Sequence, residues 1–220
     1  MSGFTCIYLH GFLSSGQSVK GQWFSHIVAS QARHPQCDKS THLPNKHRIT
    51  QVITPTYPIV SPQHSVQAIE AILLPLLNKH ELVLLMGSSM GGFYAQFLGQ
   101  KYHLPYIMIN PALAPVPILA AEAGSHVNPV TGEAFCIDTD YCEALQHYDV
   151  AHLNPTINAL LLVDEADEVI DVPHALSRYQ ALPTNRFKVK CYAGGHHAFA
   201  HIDQAWLEIE HFVAQLDKDV

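Results

Sequence analysis

The 220-residue chain predicts an α/β protein, with a mostly parallel central sheet covered by helices on both faces. Three observations carry that expectation. Short apolar runs alternate with amphipathic stretches along nearly the whole length. The central run Leu82-Val83-Leu84-Leu85-Met86 is apolar at every position, as a strand buried on both faces must be. Hydrophobic residues make up 48% of the chain against 14% charged, enough for a sizeable core and too apolar for a disordered segment.

The elements follow in order. Thr5–Leu9 is β-rich and ends at His10-Gly11-Phe12, followed by a Ser/Gly stretch. Trp23, Phe24, Ile27 and Val28 share a helical face and predict a helix over about 18–32. Residues 34–48 are polar and read as a surface insertion. A second strand spans Ile49–Thr54. A helix over His64–Asn78 carries Val66, Ile69, Leu73 and Leu76, with Pro75 expected to kink or end it. After the central strand, Gly87–Gly92 reads as a turn and Phe93–Lys101 as a helix. Tyr106–Ile109 is a strand closed by Asn110-Pro111. Residues 111–157 read as an irregular, lid-like excursion with one helix near 139–147. Ala159–Val163 and Phe187–Tyr192 are strands, separated by a helix near 173–181 and followed by a last helix over 202–216. Residues 1–220 are read as one domain.

Composition narrows the function. Nineteen acidic against twelve basic residues give a net charge of −7, a poor surface for nucleic acid. No run approaches the length of a membrane span, and the first residues lack the basic region of a secretory signal. Five widely spaced cysteines suit reduced thiols in a cytoplasmic protein, with Cys6 and Cys191 expected as small core residues on strands. Of sixteen histidines, His196, His197 and His201 are the candidates for metal ligands by spacing. No H-E-x-x-H and no cysteine cluster accompanies them, so neither a metal nor a cofactor is expected.

Gly87-Ser88-Ser89-Met90-Gly91 is a G-x-S-x-G sequence between a buried strand and a helix, the setting of a nucleophile elbow. Ser89 is the candidate nucleophile. A serine hydroxyl needs a base, which must come from later in the chain. Gly194-Gly195-His196-His197-Ala198-Phe199 offers two histidines, and the G-G-x-H-x-F pattern selects His197. The acid that orients the base is sought in Asp164-Glu165-Ala166-Asp167-Glu168. Asp167, separated from the strand by three residues and followed by Glu168-Val169, is preferred over Asp164. Two backbone N–H groups, of Met90 and of Phe12, are the candidate oxyanion donors. His10 is read as a structural residue ordering the Phe12 loop. Leu13, Phe93 and Phe199 are read either as pocket lining or as core.

Together H-G-F, G-S-S-M-G-G, N-P-A, D-E-V and G-G-x-H-A-F resemble the α/β-hydrolase superfamily, and more narrowly the small bacterial YqiA-type esterases. Asn128-Pro129-Val130-Thr131-Gly132-Glu133 also resembles a segment of that family. The resemblance implies an α/β-hydrolase fold with a minimal lid. It also implies hydrolysis of carboxylic esters by Ser89, Asp167 and His197, with Phe12 and Met90 as oxyanion donors. The expected partner is a small-molecule ester with a short acyl group, and neither nucleic acid nor membrane is expected. An acyl-thioesterase, or a hydrolase-fold ligand-binding protein with little turnover, is the alternative.

Overall fold

The computed structural model describes residues 3–33, 47–182 and 184–216. Six parallel strands form one sheet in the order β2-β1-β3-β4-β7-β8: β1 (Phe4–Leu9), β2 (Ile49–Ile53), β3 (Val83–Ser88), β4 (Tyr106–Ile109), β7 (Ala159–Asp164) and β8 (Phe187–Tyr192). Two antiparallel strands, β5 (Gly124–Val127) and β6 (Ala134–Ile137), make a separate hairpin.

The pleat explains why the central strands are apolar throughout. Cys6 and Tyr8 of β1, Leu84 and Met86 of β3, Ile107 and Ile109 of β4, and Leu160 and Leu162 of β7 point to one face. There they pack on α1 (Val19–Arg33) through Phe24 and Val28, and on α7 (Ile202–Ala214) through Trp206, Ile209 and Phe212. The alternate residues Ile7, Leu85, Met108 and Leu161 face the other way. They meet α2 (Pro62–Asn78), α3 (Met90–Tyr102) and α6 (Val172–Gln180) through Ile69, Leu73, Phe93, Tyr94, Ala175 and Tyr179.

The chain leaves β1 toward β2, then crosses to β3 on the other side of β1. At that reversal the loops after β1 and β3 diverge, leaving a crevice at the carboxyl ends of the strands.

Four expectations are corrected. The Gly87–Gly92 turn shrinks to Ser89 alone: β3 runs to Ser88 and α3 starts at Met90, because glycines let strand and helix meet without a linker. Pro75 does not end α2, which continues to Asn78. It lies within the last turn and is exposed, so only the Ala71 carbonyl loses its N–H partner. The 111–157 excursion is more regular than expected. It holds α4 (Pro115–Ala120), the β5–β6 hairpin and α5 (Thr139–Gln146), whose N-cap Asp138 accepts the Tyr141 N–H. Cys191 is exposed rather than core, since β8 is an edge strand, whereas Cys6 is fully buried and its thiol pKa is pushed up by burial. The greater part of the 34–48 insertion, 34–46, lies outside the described residues, as does Cys37.

Candidate active site

Ser89 sits at φ 55° and ψ −121°, a conformation nearly reserved for glycine and costing a residue with a side chain roughly 1–3 kcal/mol. Its backbone is over-determined. The N–H donates to the Ile109 carbonyl at 3.1 Å, and the carbonyl accepts from Gly92 and Phe93 of its own helix and from Ala112. A Cβ on Gly87 would overlap the Gly91 carbonyl, and one on Gly91 would overlap the Leu9 carbonyl. Bare backbone at both positions is what lets β3 turn into α3 in one residue.

The Ser89 hydroxyl lies 3.0 Å from His197 Nε2. His197 Nδ1 lies 2.8 and 3.0 Å from the two oxygens of Asp167. A carboxylate can only accept, so Nδ1 carries the proton and Nε2 is left free to take one from Ser89. Asp167 follows β7 and its side chain is fully buried, while 24% of the His197 side chain is exposed. The N–H groups of Val169 and Ile170 donate to Asp167 Oδ1 at 2.8 and 3.1 Å, which fixes the orientation of the carboxylate. Glu168 is exposed and accepts the His197 N–H at 3.0 Å. Its own N–H and that of His197 hold its pKa below the usual carboxylate range.

Phe12 and Met90, the candidate oxyanion donors, come from the loop after β1 and the first turn of α3. The Met90 N–H, at the start of a helix, has no intrahelical acceptor. A Cβ on Gly11, the neighbour of Phe12, would stand 3.3 Å from Ser89 Cβ, so this loop passes directly beside the nucleophile. His10 orders it. Its Nδ1–H donates to the Gly11 carbonyl at 2.8 Å, and its Nε2 accepts the Tyr57 N–H at 3.5 Å. The rings of His10 and Tyr57 stack 4.0 Å apart, and the Tyr57 hydroxyl donates to the His10 carbonyl. Burial lowers the His10 pKa, only partly opposed by the Gly11 bond, so the imidazole is neutral.

Two of the proposed pocket residues, Phe93 and Phe199, belong to the core, whereas Leu13 is exposed. The β5–β6 hairpin reaches the same region. Phe135 packs edge-on against Phe12 at 5.4 Å, and Glu133 accepts the Ile59 N–H at 2.8 Å.

Several polar residues at the site have places that the sequence does not disclose, Asp164, the second candidate for the acid, among them. Asn110 and Asp164 are completely buried at the ends of β4 and β7 and both bond to the loop carrying His197. The Asn110 signal was the N-P-A triplet, without a role attached. Lys20, on α1, donates to the Ala198 carbonyl at 3.1 Å. Burial lowers its pKa, while the charges of Asp167 and Asp164 act the other way. Among the described residues, no group of three His, Cys, Asp or Glu side chains is placed to hold a metal ion.

Sheet order, one-residue elbow and crevice define an α/β-hydrolase fold. Residues 5–214 match the family described as "Uncharacterised protein family (UPF0227)", and the chain belongs to that family. Solved structures share the fold at low identity. Monoacylglycerol lipase from Paleococcus ferrophilus is 12% identical, with a TM-score of 0.69 over 97% of this chain and 96% of that one. Alpha/beta hydrolase domain-containing protein 10 from mouse is 17% identical, with a TM-score of 0.67 over 97% and 90%. Est1E from Butyrivibrio proteoclasticus is 15% identical, with a TM-score of 0.65 over 96% and 87%. No helix among the described residues is long and apolar enough to cross a membrane.

Proposed function

We propose that the protein is a serine esterase that cleaves small carboxylic esters, with short acyl groups, through an acyl-enzyme. The observation that carries this reading is the continuous hydrogen-bonded series from the Ser89 hydroxyl through His197 to the buried Asp167. Ser89 attacks the ester carbonyl as its proton passes to His197 Nε2. Asp167 holds the Nδ1–H tautomer and stabilises the imidazolium that forms. The oxyanion develops against the N–H groups of Phe12 and Met90, where loss of one donor typically costs about 10²–10³ in turnover. His197 returns the proton to the leaving alkoxide, which departs as the alcohol. It then takes a proton from water as the water attacks the acyl-enzyme, and passes it to Ser89 Oγ as the bond between the acyl carbon and Oγ breaks and the acid is released.

The esterase and lipase among the solved relatives of the same fold support this reading. A cytoplasmic location is part of the proposal. Cys6, Cys136, Cys142 and Cys191 are unpaired, as thiols are in a reducing compartment.

The test is fluorophosphonate labelling of the folded protein, with the adduct located by mass spectrometry. A single adduct on Ser89, lost on denaturation, is the expected result. Folded protein that takes no label would overturn the esterase reading and favour ligand binding without turnover.

A further inference from the structure

Asp164 closes β7 three residues before Asp167, and its side chain is fully buried. The loop that carries His197 occupies both of its oxygens. Oδ2 accepts the N–H groups of His196 at 3.1 Å and Ala200 at 2.7 Å, and Oδ1 accepts Nδ1–H of His201 at 2.6 Å. The Asp164 N–H donates to Asn110 Oδ1 at 2.8 Å, and Asn110 Nδ2 turns back onto the same loop, 3.0 Å from the His196 carbonyl and 3.3 Å from that of His197. Asn110 itself follows Ile109, whose carbonyl accepts the Ser89 N–H.

This arrangement matters because Glu168, Lys20 and the buried Phe199 ring each fix one point, whereas Asp164 takes three bonds from the loop. The loop lies between β8 and α7 with positive φ at Gly194 (72°), Gly195 (78°) and Phe199 (64°), so no regular ladder sets its path. The bonds grip it just before His197, at the His197 carbonyl, and three residues beyond. A carboxylate suits this place because it accepts at both ends and makes stronger bonds than a neutral acceptor.

We propose that Asp164, acting with Asn110, is a positioning residue that holds the His197 imidazole in register with Ser89. The inference rests on reading His197 as the base, but it has a readout of its own. The Nδ1–H proton of His197, bound to Asp167, resonates at low field in proton NMR only while the ring is held in place. Asp164→Ala is expected to lower kcat on 4-nitrophenyl acetate about 10²-fold, the scale of a misplaced catalytic group, with KM unchanged and the low-field resonance lost. Asp164→Asn keeps one oxygen for the two backbone N–H groups and turns its amide toward His201, which switches tautomer. It is expected to recover most of the turnover and the resonance.

A second pair of variants leaves the carboxylate in place. A Cβ on Gly195 would overlap Asp164 Oδ2, whereas one on Gly194, at nearly the same φ, meets nothing within 4 Å. Gly195→Ala is therefore expected to lose turnover and resonance, and Gly194→Ala to keep both. Retention of wild-type kcat and resonance in Asp164→Ala or in Gly195→Ala, or a change confined to KM, would overturn the proposal. If the wild type neither turns over ester nor takes the phosphonate, the esterase reading fails and the resonance still decides this one.

Discussion

The Asn128 carboxamide, on the turn between β5 and β6, donates to the Ser14 carbonyl at 3.1 Å, tying the hairpin to the loop that follows β1. Its oxygen accepts the Val130 N–H at 2.9 Å and also bonds Thr131, so this buried side chain shapes the hairpin turn and straps it down. Asn128→Ala leaves these backbone groups without partners. It is expected to lower stability by about 1–3 kcal/mol, read as a shift in the urea midpoint. A midpoint equal to wild type would mean the Phe12–Phe135 contact and Glu133 hold the hairpin unaided.

In the proposed mechanism Asp167 orients His197 and balances the charge it gains, and each role can be removed without changing shape. Asp167→Asn is expected to lower kcat on a phenyl ester by about 10⁴-fold with little effect on folding, because an amide favours the wrong imidazole tautomer. Ser89→Ala is expected to abolish turnover. Ester hydrolysis at the wild-type rate by either variant would remove these residues from the chemistry.

The elbow stores strain at Ser89. Ser89→Gly relieves the φ 55° conformation, whereas Ser89→Ala keeps it. The glycine variant is therefore expected to melt above the alanine variant, by an amount set by the roughly 1–3 kcal/mol of strain less the entropy cost of glycine. Equal melting temperatures would show that the turn is not strained.

His10 supplies a pH dependence. Its folded pKa lies below the ordinary 6.5, so below about pH 6.5 the unfolded chain takes up a proton that the folded protein refuses. More protons on the unfolded state mean that stability falls as pH drops from 6.5 toward the folded pKa, by up to about 1.4 kcal/mol per pH unit, and levels off below it. His10→Gln is expected to flatten this part of the curve relative to wild type. Parallel curves of stability against pH would show that His10 is freely protonated in the fold.

Much of the fold was legible because its signals are local. Each buried strand is apolar on both faces, and the elbow, the His197 loop and the Asp167 segment all announce themselves through glycines and spacing. The hairpin escaped because β5 and β6 are half-exposed and short, and the Asn128 bond that ties their turn down reaches Ser14, 114 positions away in sequence. Asn110 shows no role in the sequence, and Asp164 only that of second candidate acid, for a similar reason. A buried asparagine or aspartate looks like a turn residue until the partners of its donors and acceptors are known. His201, a metal-ligand candidate by spacing, is a donor to Asp164.

The hairpin is attached to the tips of loops, at Ser14, Phe12 and Ile59, whereas Ser89, His197 and Asp167 are tied to one another through strand ends. The two sets of ties share no hydrogen bond. Phe12 belongs to both sets, since its N–H is the proposed oxyanion donor and its ring packs on the hairpin's Phe135. A hairpin grafted between α4 and α5 therefore leaves the site undisturbed only if it keeps an aromatic ring against Phe12.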